Sequence, residues 1–249
     1  MKARFRQIAS VWLVALVAAA PLGAQTPATP AAKKAAAPFS VDRYQSSIDA
    51  YLAADRTSPP PTLAIEFIGS SIFARWENLK TQMAPLPVFN RAFGGSRTPE
   101  VLHYVDAIVL PYAPRIIVYY CGSNDINAGT LPPEIAANFR AFVEKVHAKL
   151  PPTRILFTAI IRAPQKREHW ERVDAANALV RDYCAQDPRL GFIDVNPAVF
   201  DRAGRPRTEL YLPDQLHYLP PAYDGFTAII KPVLESCWRE VNAENRVAP

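Results

Sequence analysis

The chain has 249 residues, 49% of them hydrophobic and 20% charged, which is ample for one sizeable core. Its formal net charge is +5, yet residues 1–38 carry five basic side chains (Lys2, Arg4, Arg6, Lys33, Lys34) and no acidic one. Taking those five from 28 leaves 23 basic residues against 23 acidic ones in the remainder, so nothing there draws the electrostatic footprint of a nucleic-acid binder.

In chain order, the basic start is followed by an apolar run at residues 8–20 and by Pro21-Leu22-Gly23-Ala24, which ends in small residues. This is the layout of a secretory signal peptide, residues 1–24, cleaved after Ala24, and it predicts an exported protein, periplasmic or secreted. The competing reading is a membrane anchor, but the run is shorter than the roughly 20 residues a spanning helix needs. Gln25, not cysteine, follows Ala24, which argues against a lipid anchor. Alanine and proline dominate residues 25–38, with no large apolar side chain, which reads as a disordered tail. The folded domain is expected over 39–249, with no stable membrane insertion once the leader is removed.

Helical and β-rich segments then alternate. Residues 41–54 have Tyr44, Ile48 and Leu52 on one helical face. Strands are expected at 63–68, 88–89, 115–121, 154–160 and 190–195. Helices are expected at 99–110, 132–150, 168–185 and 218–241. The strand at 115–121 is apolar almost throughout, as when both faces are covered. Strands separated by helices of this size imply an α/β fold with a mainly parallel sheet between helical layers. Such sheets hold ligands at the C-terminal ends of their strands. Cys184 and Cys237 fall in predicted helices and could pair in an exported chain; the sequence leaves that open.

Every chemically suggestive segment falls on that one sheet edge. Ser70-Ser71 follows the first strand, Gly94-Gly95 the second, Asn124-Asp125 the third, and Asp214 and His217 the last. A serine hydroxyl needs a base to take its proton, and a histidine base needs a carboxylate to fix its tautomer. Glycine suits a backbone N–H that must approach a substrate oxygen unobstructed. Taken singly, the segments have plainer readings: a helix cap for Ser70 and Ser71, a Gly-Gly turn, an Asx turn at Asn124, a surface loop histidine. His103, His147 and His169 fit helical segments and have no such partner.

Four such blocks in this order resemble the GDSL-type, or SGNH, hydrolases, over roughly residues 60–235. The blocks are Gly69-Ser70-Ser71, Asn90 to Ser96, Gly122-Ser123-Asn124-Asp125 and Asp214-Gln215-Leu216-His217. Ser70 stands where that family usually has aspartate, which brings the chain close to a subset with Gly-Ser-Ser followed by a tryptophan, here Trp76. The resemblance implies a three-layer α/β/α, flavodoxin-like fold with a five-stranded sheet. It implies Ser71 as nucleophile, His217 as base, Asp214 as its carboxylate, and an oxyanion hole from Ser71, Gly95 and Asn124. Asp125 would orient its loop.

The function so implied is an exported serine esterase, cleaving acyl or acetyl esters through an acyl-enzyme. It needs no metal or organic cofactor, and its partner is a small-molecule, glycan or lipid ester. The alternative is a non-catalytic carbohydrate- or envelope-binding domain on the same fold. The sequence does not name the ester or the oligomeric state. The loops at 162–170 and 201–212 are expected to decide the substrate.

Overall fold

The computed structural model describes residues 40–247. The predicted leader, the tail and their boundary with the domain lie outside these residues. After a 3-10 turn at Val41–Tyr44 comes α1 (Gln45–Asp55), then β1 (Ile65–Gly69), α2 (Ser71–Ala74) and α3 (Leu79–Met83). β2 (Val88–Asn90), α4 (Thr98–His103), α5 (Val105–Ile108) and β3 (Ile116–Tyr120) follow. The second half holds α6 (Ser123–Ala128), α7 (Pro132–His147), β4 (Arg154–Thr158), α8 (Trp170–Cys184), β5 (Leu190–Ile193) and α9 (Pro220–Val247). The five strands pair in parallel in the order β2-β1-β3-β4-β5.

Two cores sandwich the sheet because alternate strand residues face opposite layers. Ile116, Val118 and Tyr120 of β3 point into one core with Phe67 of β1 and the apolar stripe of α9, Phe226, Ile230 and Leu234. Ile117 and Tyr119 point into the other, against Ile135, Phe139, Phe142 and Val146 of α7 and Val173 and Val180 of α8. The spacing of those α7 residues is a helical stripe, and each buried phenylalanine stabilises the fold by roughly 1.5–3 kcal/mol. Cys184 lies in the second core and Cys237 in the first, both as free thiols, so the sheet separates the pair that sequence alone left open.

Two predicted elements differ in detail. The helix expected at 99–110 breaks into α4, α5 and a 3-10 turn at Leu110–Tyr112, since Tyr104 and Val109 leave helical geometry and Pro111 supplies no N–H. The last helix begins at Pro220, two residues later than expected, and runs through Pro232 to Val247. A buried carboxyl group interrupts the apolar pattern of β1. Glu66 is fully buried in β1, with neither carboxyl oxygen hydrogen-bonded among the described residues, and burial pushes its pKa far up despite the Arg91 charge. It is therefore held as the neutral acid.

Candidate active site

The strand order reverses between β1 and β3, so the turns after these strands diverge and leave a crevice at their C-terminal ends. Ser71 opens the short helix after β1. The turn is forced by Gly69, with φ +132°, where a Cβ would stand 1.9 Å from the Tyr120 carbonyl oxygen. Ser70 donates its backbone N–H to that same carbonyl, and its own carbonyl accepts from Phe73 and Ala74. Its hydroxyl is buried and makes no hydrogen bond among the described residues, so neither serine's side chain caps the helix.

The histidine reaches this point from the far end of the chain. Leu212 donates its N–H to the His217 carbonyl at 2.7 Å, and Tyr211 pairs with Tyr218, which closes residues 212–217 into a tight loop. Inside it, Asp214 Oδ1 accepts from the backbone N–H groups of Leu216 and His217 at 3.0 and 2.9 Å. This carboxylate-closed turn holds Gln215 at φ +55°, a left-handed conformation that a non-glycine residue adopts only under constraint.

His217 Nδ1 lies 2.6 Å from Asp214 Oδ2, and Nε2 lies 2.9 Å from Ser71 Oγ. Burial alone would raise the Asp214 carboxyl, but the ring N–H of His217 and the two backbone N–H groups outweigh it and bring the pKa down to about 2. The carboxylate accepts from Nδ1–H, so Nε2 carries the lone pair and accepts from the serine hydroxyl. The structure thus brings together Ser71, His217 and Asp214 in a continuous relay, from residues 146 and three positions apart in sequence.

The donors expected for an oxyanion lie around the same hydroxyl. Ser71, Gly94, Gly95, Asn124 and His217 line one cleft of about 330 Å³, with Ala74 and Arg75. The backbone N–H groups of Ser71 and Gly95 donate to no other group among the described residues. Gly95 sits at φ +83°, with the Tyr44 hydroxyl 3.0 Å from where a Cβ would lie. Asn124 gives one amide hydrogen to the Ser96 carbonyl at 2.9 Å, which fixes the side chain and leaves its other hydrogen for the cleft.

The side-chain bonds of Asp125 are not the local ones expected of it but reach a distant segment. Buried among the α4 residues, its carboxylate accepts from the Thr98 N–H at 3.0 and 3.1 Å and from the Thr98 hydroxyl at 2.6 Å. It thereby anchors the segment just after Gly95. Burial outweighs these bonds and raises its pKa to about 6.

Two bracing residues escaped the sequence reading. Asn90 donates from Nδ2 to the Phe73 carbonyl at 2.7 Å and accepts from Ala92 N–H at 2.9 Å, tying the Ser71 turn to the Gly94-Gly95 turn. Ser96 donates its hydroxyl to the Gly69 carbonyl while its own carbonyl holds Asn124. Both stood in the second block, at its two ends, with no role assigned to either. The segments expected to shape the substrate site contribute little here. Of residues 162–170 and 201–212, only Leu212 lines the cleft or the adjoining 400 Å³ pocket, whose walls come mostly from residues 75–82 and 218–224.

The sequence pattern of the GDSL-like Lipase/Acylhydrolase family matches residues 67–224, which contain all four blocks. A GDSL-like lipase from Bacteroides thetaiotaomicron superposes with a TM-score of 0.66 at 18% identity, covering 77% of this chain and 98% of that one. A lipase/acylhydrolase from Enterococcus faecalis gives 0.56 at 20% identity, covering 69% and 95%. A carbohydrate esterase family 3 protein from Talaromyces cellulolyticus gives 0.57 at 15% identity, covering 71% and 98%. At these identities the three structures share the fold. No curated protein matches the chain.

Proposed function

The chain belongs to the GDSL-like lipase/acylhydrolase family of ester-hydrolysing serine hydrolases, and from that premise we propose that it is an exported esterase. In this reading it cleaves acyl or acetyl esters with Ser71 as nucleophile. The observation that carries the reading is the unbroken relay Asp214–His217–Ser71, with hydrogen bonds of 2.6 and 2.9 Å. His217 Nε2 takes the proton as Ser71 Oγ attacks the ester carbonyl carbon. Asp214 stabilises the imidazolium that forms. The N–H groups of Ser71 and Gly95 and the Asn124 amide hold the oxyanion. Collapse expels the alcohol, which leaves with the proton from His217. Water, deprotonated by the same nitrogen, then frees the acyl group from Ser71. Residues 1–24 direct export and are removed, and 25–38 form a tail ahead of a domain spanning 39–249. Among the described residues no helix is long and apolar enough to cross a membrane.

A fluorophosphonate probe should label the wild-type protein and not Ser71→Ala. Hydrolysis of p-nitrophenyl esters of graded chain length, then of acetylated glycans, should define the acyl and alcohol sides. A wild-type protein that neither reacts with the probe nor cleaves any such ester would sink the reading. Export is tested separately, by the N-terminal residue of the protein recovered from the periplasm or medium; a chain still starting at Met1 overturns it.

A further inference from the structure

Behind the cleft lies a charge that the relay does not use. Lys166 belongs to the 3-10 segment Pro164–His169. It is 1% exposed. Its ammonium donates to the Ser123 hydroxyl at 2.6 Å and approaches the Ser123 carbonyl at 3.5 Å. It makes no ion pair with a carboxylate among the described residues. Burial alone pushes its pKa down, to about 8, so it remains mainly a cation at neutral pH. Tyr120, which lies against Ser123, is held neutral by burial.

A buried lysine without a counter-ion costs stability, and neutral hydrophobic side chains of similar volume fill such space at lower cost. Its location matters. Ser123 is the first residue of α6 and Asn124 is the second, so the ammonium presses on the peptide group that leads into the amide donor of the cleft. The neighbouring Gln165 donates its N–H to the Gln215 carbonyl at 3.1 Å. One short segment therefore touches both the Asn124 turn and the loop that carries Asp214 and His217.

We propose that Lys166 is a positioning residue of the oxyanion hole. Its uncompensated positive charge acts through the Ser123 carbonyl, which Ser123→Ala keeps, and the first turn of α6 on Asn124. The negative oxygen formed during ester cleavage is the counter-charge it lacks at rest. The interaction is stronger in the transition state than in the ground state, so it belongs to kcat and not to binding. This rests on the serine-esterase reading given above.

The test uses Lys166→Met, Lys166→Gln and Ser123→Ala in the full-length protein with p-nitrophenyl acetate. Lys166→Met should lower kcat by about tenfold, leave KM within about twofold and leave Tm unchanged or raised. A side chain kept only for packing would not combine a lower kcat with an undiminished Tm. Ser123→Ala keeps the charge and removes one hydrogen bond, so it should retain most of kcat. Lys166→Gln keeps the donors without the charge and should resemble Lys166→Met. The inference is overturned if Lys166→Met keeps wild-type kcat, or if Ser123→Ala loses as much as Lys166→Met. It is also overturned if Lys166→Met lowers kcat and Tm together, or if neither lysine variant folds, since removal of the charge is expected to relieve the fold. Ser71→Ala is the control: a residual full rate there fells the esterase reading itself, whereas an inactive Ser71→Ala beside a fully active Lys166→Met fells only the role of Lys166.

Discussion

The loop at residues 212–217 and the turn at 122–125 both face the Ser71 hydroxyl, and they are built in opposite ways. The first is half open to solvent and held by its own short-range bonds: Asp214 grips Leu216 and His217, and Leu212 grips the His217 carbonyl. The second is buried and held by distant partners: Asp125 by Thr98, Asn124 by Ser96, Ser123 by Lys166. The carboxylates record the difference. Asp214 is brought down to about 2 and Asp125 is raised to about 6. A side chain that must pass protons needs water and a fixed tautomer. A donor that must wait for a charge needs rigidity and exclusion of water.

The comparison is sharpest at Ser71, the proposed nucleophile. Ser71→Ala removes one small oxygen at a half-buried position, so Tm should hardly move while ester turnover falls by roughly 10³-fold or more. If Ser71→Ala retains near-full turnover and Ser70→Ala does not, the relay has been assigned one residue out. The pH profile tests the same region. Asp214 stays ionised down to about 2, so the acid limb of kcat/KM should carry no ionisation of that carboxylate above about pH 3. An ionisation between pH 3 and 5 that vanishes in Asp214→Asn would contradict this.

On the buried side, Asn124→Ala should lower kcat by roughly 10²–10³ with little change in KM, because the amide acts mainly on the charged transition state. A raised KM with unchanged kcat would make Asn124 a ground-state binder and dissolve the contrast between the two turns. Asn90 should give a smaller, mixed effect. Asn90→Ala loses the bonds to Phe73 and Ala92, so kcat should fall about tenfold and Tm by several degrees. A normal Tm and kcat would mean that the Ser71 and Gly95 turns keep their spacing without it.

These two constructions also explain what sequence alone revealed. The five strands were legible because apolar runs in a largely buried parallel sheet leave a dense signal, and each strand lies within a few residues of its expected bounds. The relay was legible because Asp214 and His217 sit three apart and Ser71 follows a buried strand and a glycine. Elements α2, α3 and α6 were not, since four to six residues carry no periodicity and are set by turn bonds. Asn90, Ser96 and Lys166 act across 17 to 43 positions, and their partners are backbone atoms or a hydroxyl, which no residue pattern encodes. Residues 162–170 read as a loop open to substrate for the same reason: a lysine in a polar stretch looks solvated until the fold buries it.

The smallest effect separates the two carboxylates by sign. The Asp125 carboxyl has a folded pKa of about 6 against 3.8 for the ordinary side chain. Between these values the unfolded chain releases the proton and the folded one keeps it. Stability from this group is therefore fully present below about pH 4 and is lost as pH rises toward 6, by an amount on the order of 2–3 kcal/mol. Asp214 runs the other way, since its depressed pKa contributes stability above about pH 4 that disappears only as pH falls toward 2. Glu66 adds to the loss on the Asp125 side, so the wild-type curve alone does not isolate Asp125. The variant does. Asp125→Asn sets an NH2 donor where Oδ2 faces the Thr98 N–H at 3.1 Å and should be less stable than wild type by about 1–3 kcal/mol at pH 4. That gap should narrow as pH rises to 6.5, because only the wild type carries the Asp125 titration. Urea unfolding of both proteins at pH 4, 5 and 6.5 measures it. A gap that widens with pH would mean that Asp125 is ionised in the folded protein at pH 4, with its hydrogen bonds from Thr98 outweighing burial.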